Sequence, residues 1–398
     1  MGNILTEDRI LIAGAGPVGL VAAAHLARSG VPVTVFEQGP DLSEESRAST
    51  FHPPTLDMLD ELDAATPLIA QGLKAPAFQY RSKKHGLLAQ FDFAAIADVT
   101  RHPYRVQAEQ SKLTRILYEN MRGNSYFDIQ FDCTVAGVTQ DGTGVDVIVE
   151  QKGRRETRRG RYLIGADGAS STVRRALGIE FEGFTWPDRL LVVSTPFDFH
   201  NAIPGLTSVN YVADPIRWYF LLQIPGLWRA MFLVNEDTSD ERVTTRDFAQ
   251  SLMAGVVPGI SNYEISHITL YKVHQRVAKT FRHGRAFLIG DAAHINNPLG
   301  GMGMNGGIHD AVNLVRRLAA VWKGDASDAE LDRYDLQRRG VTLEYIQKYT
   351  IQNKKNLESS GDEFGQSLRA IAADPVRKRE YLLRTSMITS LQRAAELG

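Results

Sequence analysis

The residues best suited to chemistry lie in three glycine-rich stretches, each associated with a carboxylate. In "GAGPVG", Gly14, Gly16 and Gly19 have GxGxxG spacing, with Pro17 and Val18 between the last two. Glu37 follows about 20 residues after them, the distance at which an acidic residue meets a ribose in a dinucleotide fingerprint. The first glycine permits a tight turn, the second lets a pyrophosphate approach a helix N-terminus, and the third lets that helix pack closely on its strand. Gln38 stands beside the carboxylate. The second stretch, "GADG", places Asp167 and Gly168 in a turn ahead of a segment rich in Ser, Thr and Arg. The third, "GDAAHINNPLGGMGMNGGIHDA", begins at Gly290 and Asp291 and has glycines at 300, 301, 303, 306 and 307. Ordering glycine is entropically expensive, so this density means that the backbone itself must come close to something. Asp291 is suited to accept hydrogen bonds from sugar hydroxyls rather than to act as a base. The pattern holds one dinucleotide without saying which.

The elements that must position these residues are legible nearby. "RILIAG" is an apolar run of strand length, "PVGLVAAAHLARSG" a helix stopped by Gly30, and "VPVTVFEQ" a second strand ending on Glu37, which makes a βαβ unit. Helices are expected over Leu56–Leu73 and Ser111–Met121, with strands in "AFQYRSKK" and "LLAQFDF" between them. Turn signals at Asp141-Gly142 and Lys152-Gly153 predict a three-stranded meander, and Arg154, Arg155, Arg158, Arg159 and Arg161 read as its solvated edge. Phe184 to Arg282 is rich in aromatic strands, with a helical insertion near Val243 to Ala254. "GIHDAVNLVRRLAAVWKG" is an amphipathic helix, and the chain from Ala329 onward reads as helical.

Composition narrows the classes. With 43% hydrophobic and 23% charged residues and a formal net charge of -1, there is no electrostatic reason to bind nucleic acid or a membrane surface. The lone Cys133 excludes an internal disulfide and a thiolate metal site, no metal is expected, and a reducing cytoplasm fits. "MGNILTEDR" is not a secretory signal, and no apolar run is long enough to span a membrane.

Taken in order, "GAGPVG", "GADG" and "GDAAHINNPLGGMGMNGGIHDA" resemble the single-component FAD-dependent aromatic hydroxylases, the flavoprotein monooxygenases similar to para-hydroxybenzoate hydroxylase. The resemblance covers roughly the first 350 residues and implies an α/β fold. A discontinuous Rossmann-like FAD-binding domain would take residues 1–75, 105–183 and 284–345. A sheet-rich substrate domain would take 76–104 and 184–283, and C-terminal helices 346–398. By the same resemblance FAD is held tightly without a covalent bond. NADH or NADPH is the transient reductant, O2 adds at flavin C4a, and the resulting hydroperoxide hydroxylates a phenolic or N-heterocyclic ring. Asp291 would hold the ribityl chain, Pro298, Gly301, Gly303, Met304 and Asn305 would lie beside the isoalloxazine, and a helix starting near Asn305 would aim its dipole there. Arg47 matches the arginine that meets the pyrophosphate, and Gln110, with Gln107 as its rival, the glutamine at the start of a helix. Asn210, Tyr211 and Phe220 fall near substrate positions, and His52 and Pro298 near the reacting ring. His294 reads as packing. Another flavoenzyme on this fold, an isoprenoid reductase or a halogenase, is the alternative, as is an FAD-binding protein without catalysis; the "WxWxIP" signature of halogenases is missing. The C-terminal helices are the expected contact of a homodimer.

Overall fold

The computed structural model describes residues 8–44, 48–213, 218–358 and 362–398, with no side chains described over 356–362. The apolar run Ile10–Ala13, buried throughout, is an interior strand of a six-stranded sheet. The strand order is Arg282–His283, Ala286–Leu288, Tyr162–Gly165, Ile10–Ala13, Val33–Phe36, Phe127–Gln130. All but the first of these run parallel. From Ile10–Ala13 the chain moves to Val33–Phe36 on one side and later returns to Tyr162–Gly165 on the other, so its carboxyl end is a topological switch point. Ala13 pairs with both Phe36 and Gly165, and Gly165 with Leu288. Glu37, the GAGPVG turn, the GADG turn and Asp291 therefore follow one another along a single edge. Three strand spacings separate the first from the last, about 14 Å.

Helix Pro17–Arg28 covers this sheet and is crossed by the long helix Met302–Lys323. The crossing is tight: a Cβ at Gly307 would sit 2.7 Å from Val18 Cγ2 and 2.9 Å from Gly290 Cα. The meander forms as expected from Cys133–Gln140, Val145–Gln151 and Arg154–Gly160, and Arg159 at its edge pairs with Asp141 at 2.8 Å and Asp146 at 2.9 Å. The single helix expected over Leu56–Leu73 is instead two, Pro53–Asp60 and Ala65–Gln71, because Asp63 between them takes a left-handed conformation (φ 54°) that no helix continues through.

The second large sheet has eight strands, in the order His294–Ile295, His267–Ala278, Phe181–Thr195, Leu227–Val234, Tyr219–Ile224, Val209–Ala213, Ala77–Ser82, Gly86–Asp92. Its two faces carry separate cores. One face packs Phe199, Trp228 and Tyr263 with the helix Arg246–Met253. The other gathers Phe78, Tyr80, Phe91, Tyr211 and Phe220, and it is closed by the C-terminal helices through Leu368, Tyr381, Leu382 and Ile388. Those helices stack Tyr381 on Phe91 with ring centroids 4.4 Å apart, so they complete the aromatic core rather than stand beside it. Among the described residues no helix is long and apolar enough to cross a membrane.

Candidate active site

At the sheet edge the three glycines of GAGPVG have different surroundings. Gly14 has φ 98°, and a Cβ there would lie 2.5 Å from the Ala166 carbonyl oxygen; one at Gly19 would lie 2.1 Å from the Gly14 carbonyl oxygen. At Gly16 and Gly168, by contrast, no described atom would lie within 4 Å of an added Cβ. Gly16 caps the helix Pro17–Arg28 without a side-chain hydrogen bond, so the helix directs its free amides and positive dipole end at open space. Glu37 is fixed by backbone donors, Ala15 N–H to Oε2 at 2.8 Å and Gly39 N–H to Oε1 at 2.9 Å, with Gln38 exposed beside it. Asp167 Oδ2 accepts from Thr172 N at 2.7 Å and Val173 N at 3.0 Å, while its Oδ1 is buried with no partner. Arg174, which no motif singles out, donates to Ala292 O and Ala169 O, both at 2.8 Å, and so ties the GADG turn to the Asp291 turn. Gln110 opens the helix Gln110–Met121, its N–H bonded to Ala48 O at 3.1 Å. Arg47 lies outside the described residues.

The long helix begins at Met302, three residues earlier than expected, because Gly300 (φ 95°) and Gly301 (φ 67°) turn the chain into it. Pro298 O, on an exposed residue, accepts from Gly301 N at 2.9 Å to close the turn. Asn305 is thereby drawn inside. Its Nδ2 donates to Thr50 O at 2.8 Å and Gly301 O at 2.6 Å, and its Oδ1 accepts from His52 N at 2.9 Å. His52 Nε2 meets Gly300 O at 2.8 Å, and burial pushes this imidazole well below its ordinary pKa, so it is neutral and donates. Asn305 and His52 are thus clamps on the glycine turn rather than groups free to do chemistry, although His52 Nδ1 is buried with no partner. Gly301, Gly303 and Met304 remain partly open on the other side.

Behind the turn, Asp310 is fully buried. Its Oδ2 meets His294 Nε2 at 2.8 Å and accepts from Gly290 N at 3.2 Å; Oδ1 accepts from Arg338 Nε at 2.8 Å. Burial alone would raise the Asp310 carboxyl, but His294 and Arg338 outweigh it and hold it below its ordinary value. His294, expected to pack, is a member of this network. The neighbouring His309 meets Thr55 Oγ1 at 3.0 Å and is lowered to about 3 by burial and by Arg338.

On the aromatic side, Tyr211 and Phe220 are cross-strand partners on one face, and Tyr211 stacks on Tyr80 at 5.1 Å. Asn210 is not brought to this set. Successive strand residues point to opposite faces, and its amide is used by its own hairpin, donating to Thr207 O at 2.6 Å and Leu221 O at 3.5 Å. In place of Asn210 the structure brings Arg105, from a small sheet of Thr50–Phe51, Arg105–Gln107 and Leu73–Ala75. Arg105 is 2% exposed, lies over the Phe78 ring at 4.6 Å and approaches Tyr211 Oη at 3.5 Å. Its Nε has no partner, and no carboxylate among the described residues pairs with it. Two residues along the same strand, Gln107 Oε1 accepts from Thr50 Oγ1 at 2.9 Å, leaving Nε2 buried and unpartnered. A Cβ at Gly301 would be 3.2 Å from Thr50 Cβ, so this little sheet is where the dinucleotide edge meets the aromatic face.

Residues 7–348 match the family described as FAD binding domain. The chain belongs to this family of flavin-dependent aromatic monooxygenases. It is 35% identical over 344 residues to the para-nitrophenol 4-monooxygenase of Pseudomonas sp. (strain WBC-3), covering 85% of each chain. It is 31% identical over 384 residues to the 6-hydroxy-3-succinoylpyridine 3-monooxygenase of Pseudomonas putida (strain DSM 28022 / S16), covering 94% of this chain and 97% of that one. The crystal structure of p-nitrophenol 4-monooxygenase from Pseudomonas putida DLL-E4 superposes with a TM-score of 0.91 at 31% identity over 98% of both chains.

FAD is the cofactor of this monooxygenase, and its residues fit that group. Open space at Gly16 and Gly168 and the unpartnered buried atoms Asp167 Oδ1, His52 Nδ1 and Gln107 Nε2 lie along the edge and the turn that an isoalloxazine dinucleotide would follow. Asp291 ends this edge as an exposed carboxylate in the turn Gly290–Ala292. Asp291→Ala is expected to leave a folded protein whose FAD dissociation constant rises about 100-fold, the effect of removing a charge-assisted hydrogen bond of about 1.5–3 kcal/mol. Flavin fluorescence after desalting checks this, and full retention of FAD would show that Asp291 does not hold the cofactor.

Proposed function

We propose that this monooxygenase takes a small ring-hydroxylated aromatic as its anion, inserts one oxygen atom of O2 into the ring, and draws its electrons from a reduced pyridine nucleotide. The observation that carries the reading is Arg105, a buried guanidinium among Phe78, Tyr80 and Tyr211 with no acidic partner among the described residues. An uncompensated buried cation is unfavourable, and an anionic ligand would remove that cost. The two relatives above are named for substrates with a ring hydroxyl, which supports the same reading.

When bound, FAD supplies the activated oxygen. The chain's own part is to hold the ring, keep it ionised and exclude water. Arg105 would face the phenolate oxygen and favour its ionised form, which makes the ring a better nucleophile. Tyr211 and Phe220, side by side on one face of the sheet, would support the ring from that side, and Tyr80, stacked on Tyr211, would hold that face rigid. Pro298, Gly301, Gly303 and Met304 would border the flavin, and His52 and Asn305 would keep that turn in place. Oxygen uptake and NAD(P)H oxidation with a panel of phenols and hydroxypyridines test the proposal. Stimulation by members that carry a ring hydroxyl is expected, with a product one oxygen atom heavier where the attacked carbon carries hydrogen, and with the substituent released where it carries a leaving group such as nitro; a panel that stimulates nothing overturns it.

The reading extends to the reductant. Gln38, Leu42 and Glu44 follow Glu37 with no Lys or Arg before Arg47, and Arg47 and Glu45 lie outside the described residues. Arg115 reaches this stretch from its helix but is held by Asp41 at 3.1 Å. A 2′-phosphate would meet acidic side chains here, so NADH is the expected donor, favoured in kcat/KM by about tenfold, the factor that about 1.4 kcal/mol of repulsion produces. A clear NADPH advantage at the same ionic strength would reverse this assignment. Pairing of two copies through the C-terminal region belongs to the same proposal: Leu336, Leu343 and Val376 are large apolar side chains left exposed there, and sedimentation velocity reads the outcome.

A further inference from the structure

The helix that starts at Asp332 does not run on evenly. It passes through a π-type stretch, Thr342–Gln347, before resuming as Lys348–Glu358. Such widened turns leave side chains at angles a regular helix would not allow and are frequent at functional sites. Between this stretch and the last helices lies a cavity of about 350 Å³. One wall is the small apolar cluster of Met302, Ile346 and Met387, and Met302 is the first residue of the helix that follows the glycine turn.

The cavity's charges are unbalanced. Its lining includes Glu344, Lys348 and Arg384, but Glu344 is taken by Arg393 at 3.2 Å. Arg384 lies over the rings of Tyr349 and Tyr381 at 5.7 and 5.6 Å, and neither it nor Lys348 has an acidic partner among the described residues. Tyr349 forms the inner side. Its hydroxyl is hydrogen-bonded to that of Tyr381, which in turn meets Tyr80 Oη at 3.0 Å, and Tyr80 stacks on Tyr211 beside Arg105. A line of aromatic groups thus joins the cavity to the ring site, with cations at both ends.

We propose that this cavity is the antechamber through which the anionic aromatic substrate reaches the ring site, with Lys348 and Arg384 as its attracting rim and Tyr349 as the gate between the two. The proposal rests on the substrate class argued above. The volume accommodates a one-ring aromatic anion, the cationic rim raises its local concentration, and the hydroxyls of the tyrosines that lead inward offer it hydrogen-bond donors along the way.

The test uses the FAD-loaded enzyme and first establishes, by stimulated NAD(P)H oxidation, which phenol of the panel binds, 4-nitrophenol being the first used. A panel without a binder overturns the substrate reading, and the antechamber with it. With a binder in hand, stopped-flow flavin absorbance gives association and dissociation rates. Gln352→Trp, which fills the cavity from its rim, is expected to slow both rates at least about tenfold while Kd stays within twofold, because a passage residue acts equally in both directions. Unchanged rates would overturn the passage, and a rise in Kd carried by faster dissociation would show that Gln352 contacts bound substrate instead. Lys348→Gln combined with Arg384→Gln, both at exposed positions, is expected to slow association about tenfold at low salt, the difference vanishing at high salt. Equal association rates for this variant and the parent at low salt would remove the cationic rim.

Discussion

Gly14→Val gives aggregated or colourless protein, whereas Gly16→Val gives folded protein that has lost most of its flavin. The two substitutions lie two residues apart and separate folding from binding. Gly14 has φ 98°, where a β-branched residue is a steric outlier costing about 1–2 kcal/mol or more. Its Cβ would also fall 2.5 Å from the Ala166 carbonyl oxygen, and forcing two neighbouring strand ends apart adds about 1–3 kcal/mol. Against a native stability of about 5–15 kcal/mol the sum is a large fraction. Gly16, at φ -67° and ψ 175°, has backbone angles open to any residue, and no described atom lies within 4 Å of an added Cβ. A valine there meets only what binds. Soluble yield, far-ultraviolet circular dichroism and the flavin-to-protein absorbance ratio measure both variants; a fully yellow Gly16→Val protein would mean that the pyrophosphate does not pass residue 16.

Asp310→Ala lowers the unfolding free energy by about 3–5 kcal/mol, the usual consequence of removing one partner of a buried ion pair. Arg338, 1% exposed, would keep its charge with its carboxylate gone, and His294 Nε2 and Gly290 N–H would lose their acceptor as well. Replacing both ions, as in Asp310→Leu with Arg338→Met, leaves no buried charge and is expected to recover most of the loss. Urea midpoints of Asp310→Ala and the double variant decide the matter. A double variant as unstable as Asp310→Ala alone would show that shape rather than charge sets the cost.

What could be read in the sequence is what depends on near neighbours. The GAGPVG, GADG and GDAAH turns stand out because each holds its strand end, glycines and acid within a few residues, and the order of the three identifies the family. Adjacent residues in a strand cannot share a face, so local alternation alone separates Asn210 from Tyr211. The helix start at Met302 was misplaced because the conformations of Gly300 and Gly301 depend on His52, which holds the Gly300 carbonyl from a distant segment. Arg105 was invisible for the same reason. It is one of 45 basic residues, and only the pairing of Thr50–Phe51 and Leu73–Ala75 on either side of its strand buries it against Phe78. Asp310 stood inside the quoted motif without a role, since its partner Arg338 is 28 positions away.

The bond from His52 to Asn305 spans 253 positions, and this has a consequence for biosynthesis. A nascent chain completes its first strand–helix–strand unit early, yet the strand edge at Tyr162–Gly165 waits for Ala286–Leu288, at ribosomal speeds roughly 6–25 seconds. Until the glycine turn and the start of the long helix emerge, the edge proposed for FAD lacks its last strand and turn. FAD is therefore a late ligand. It cannot template the early chain, and the appearance of yellow colour marks the moment at which distant parts of the polypeptide have found one another.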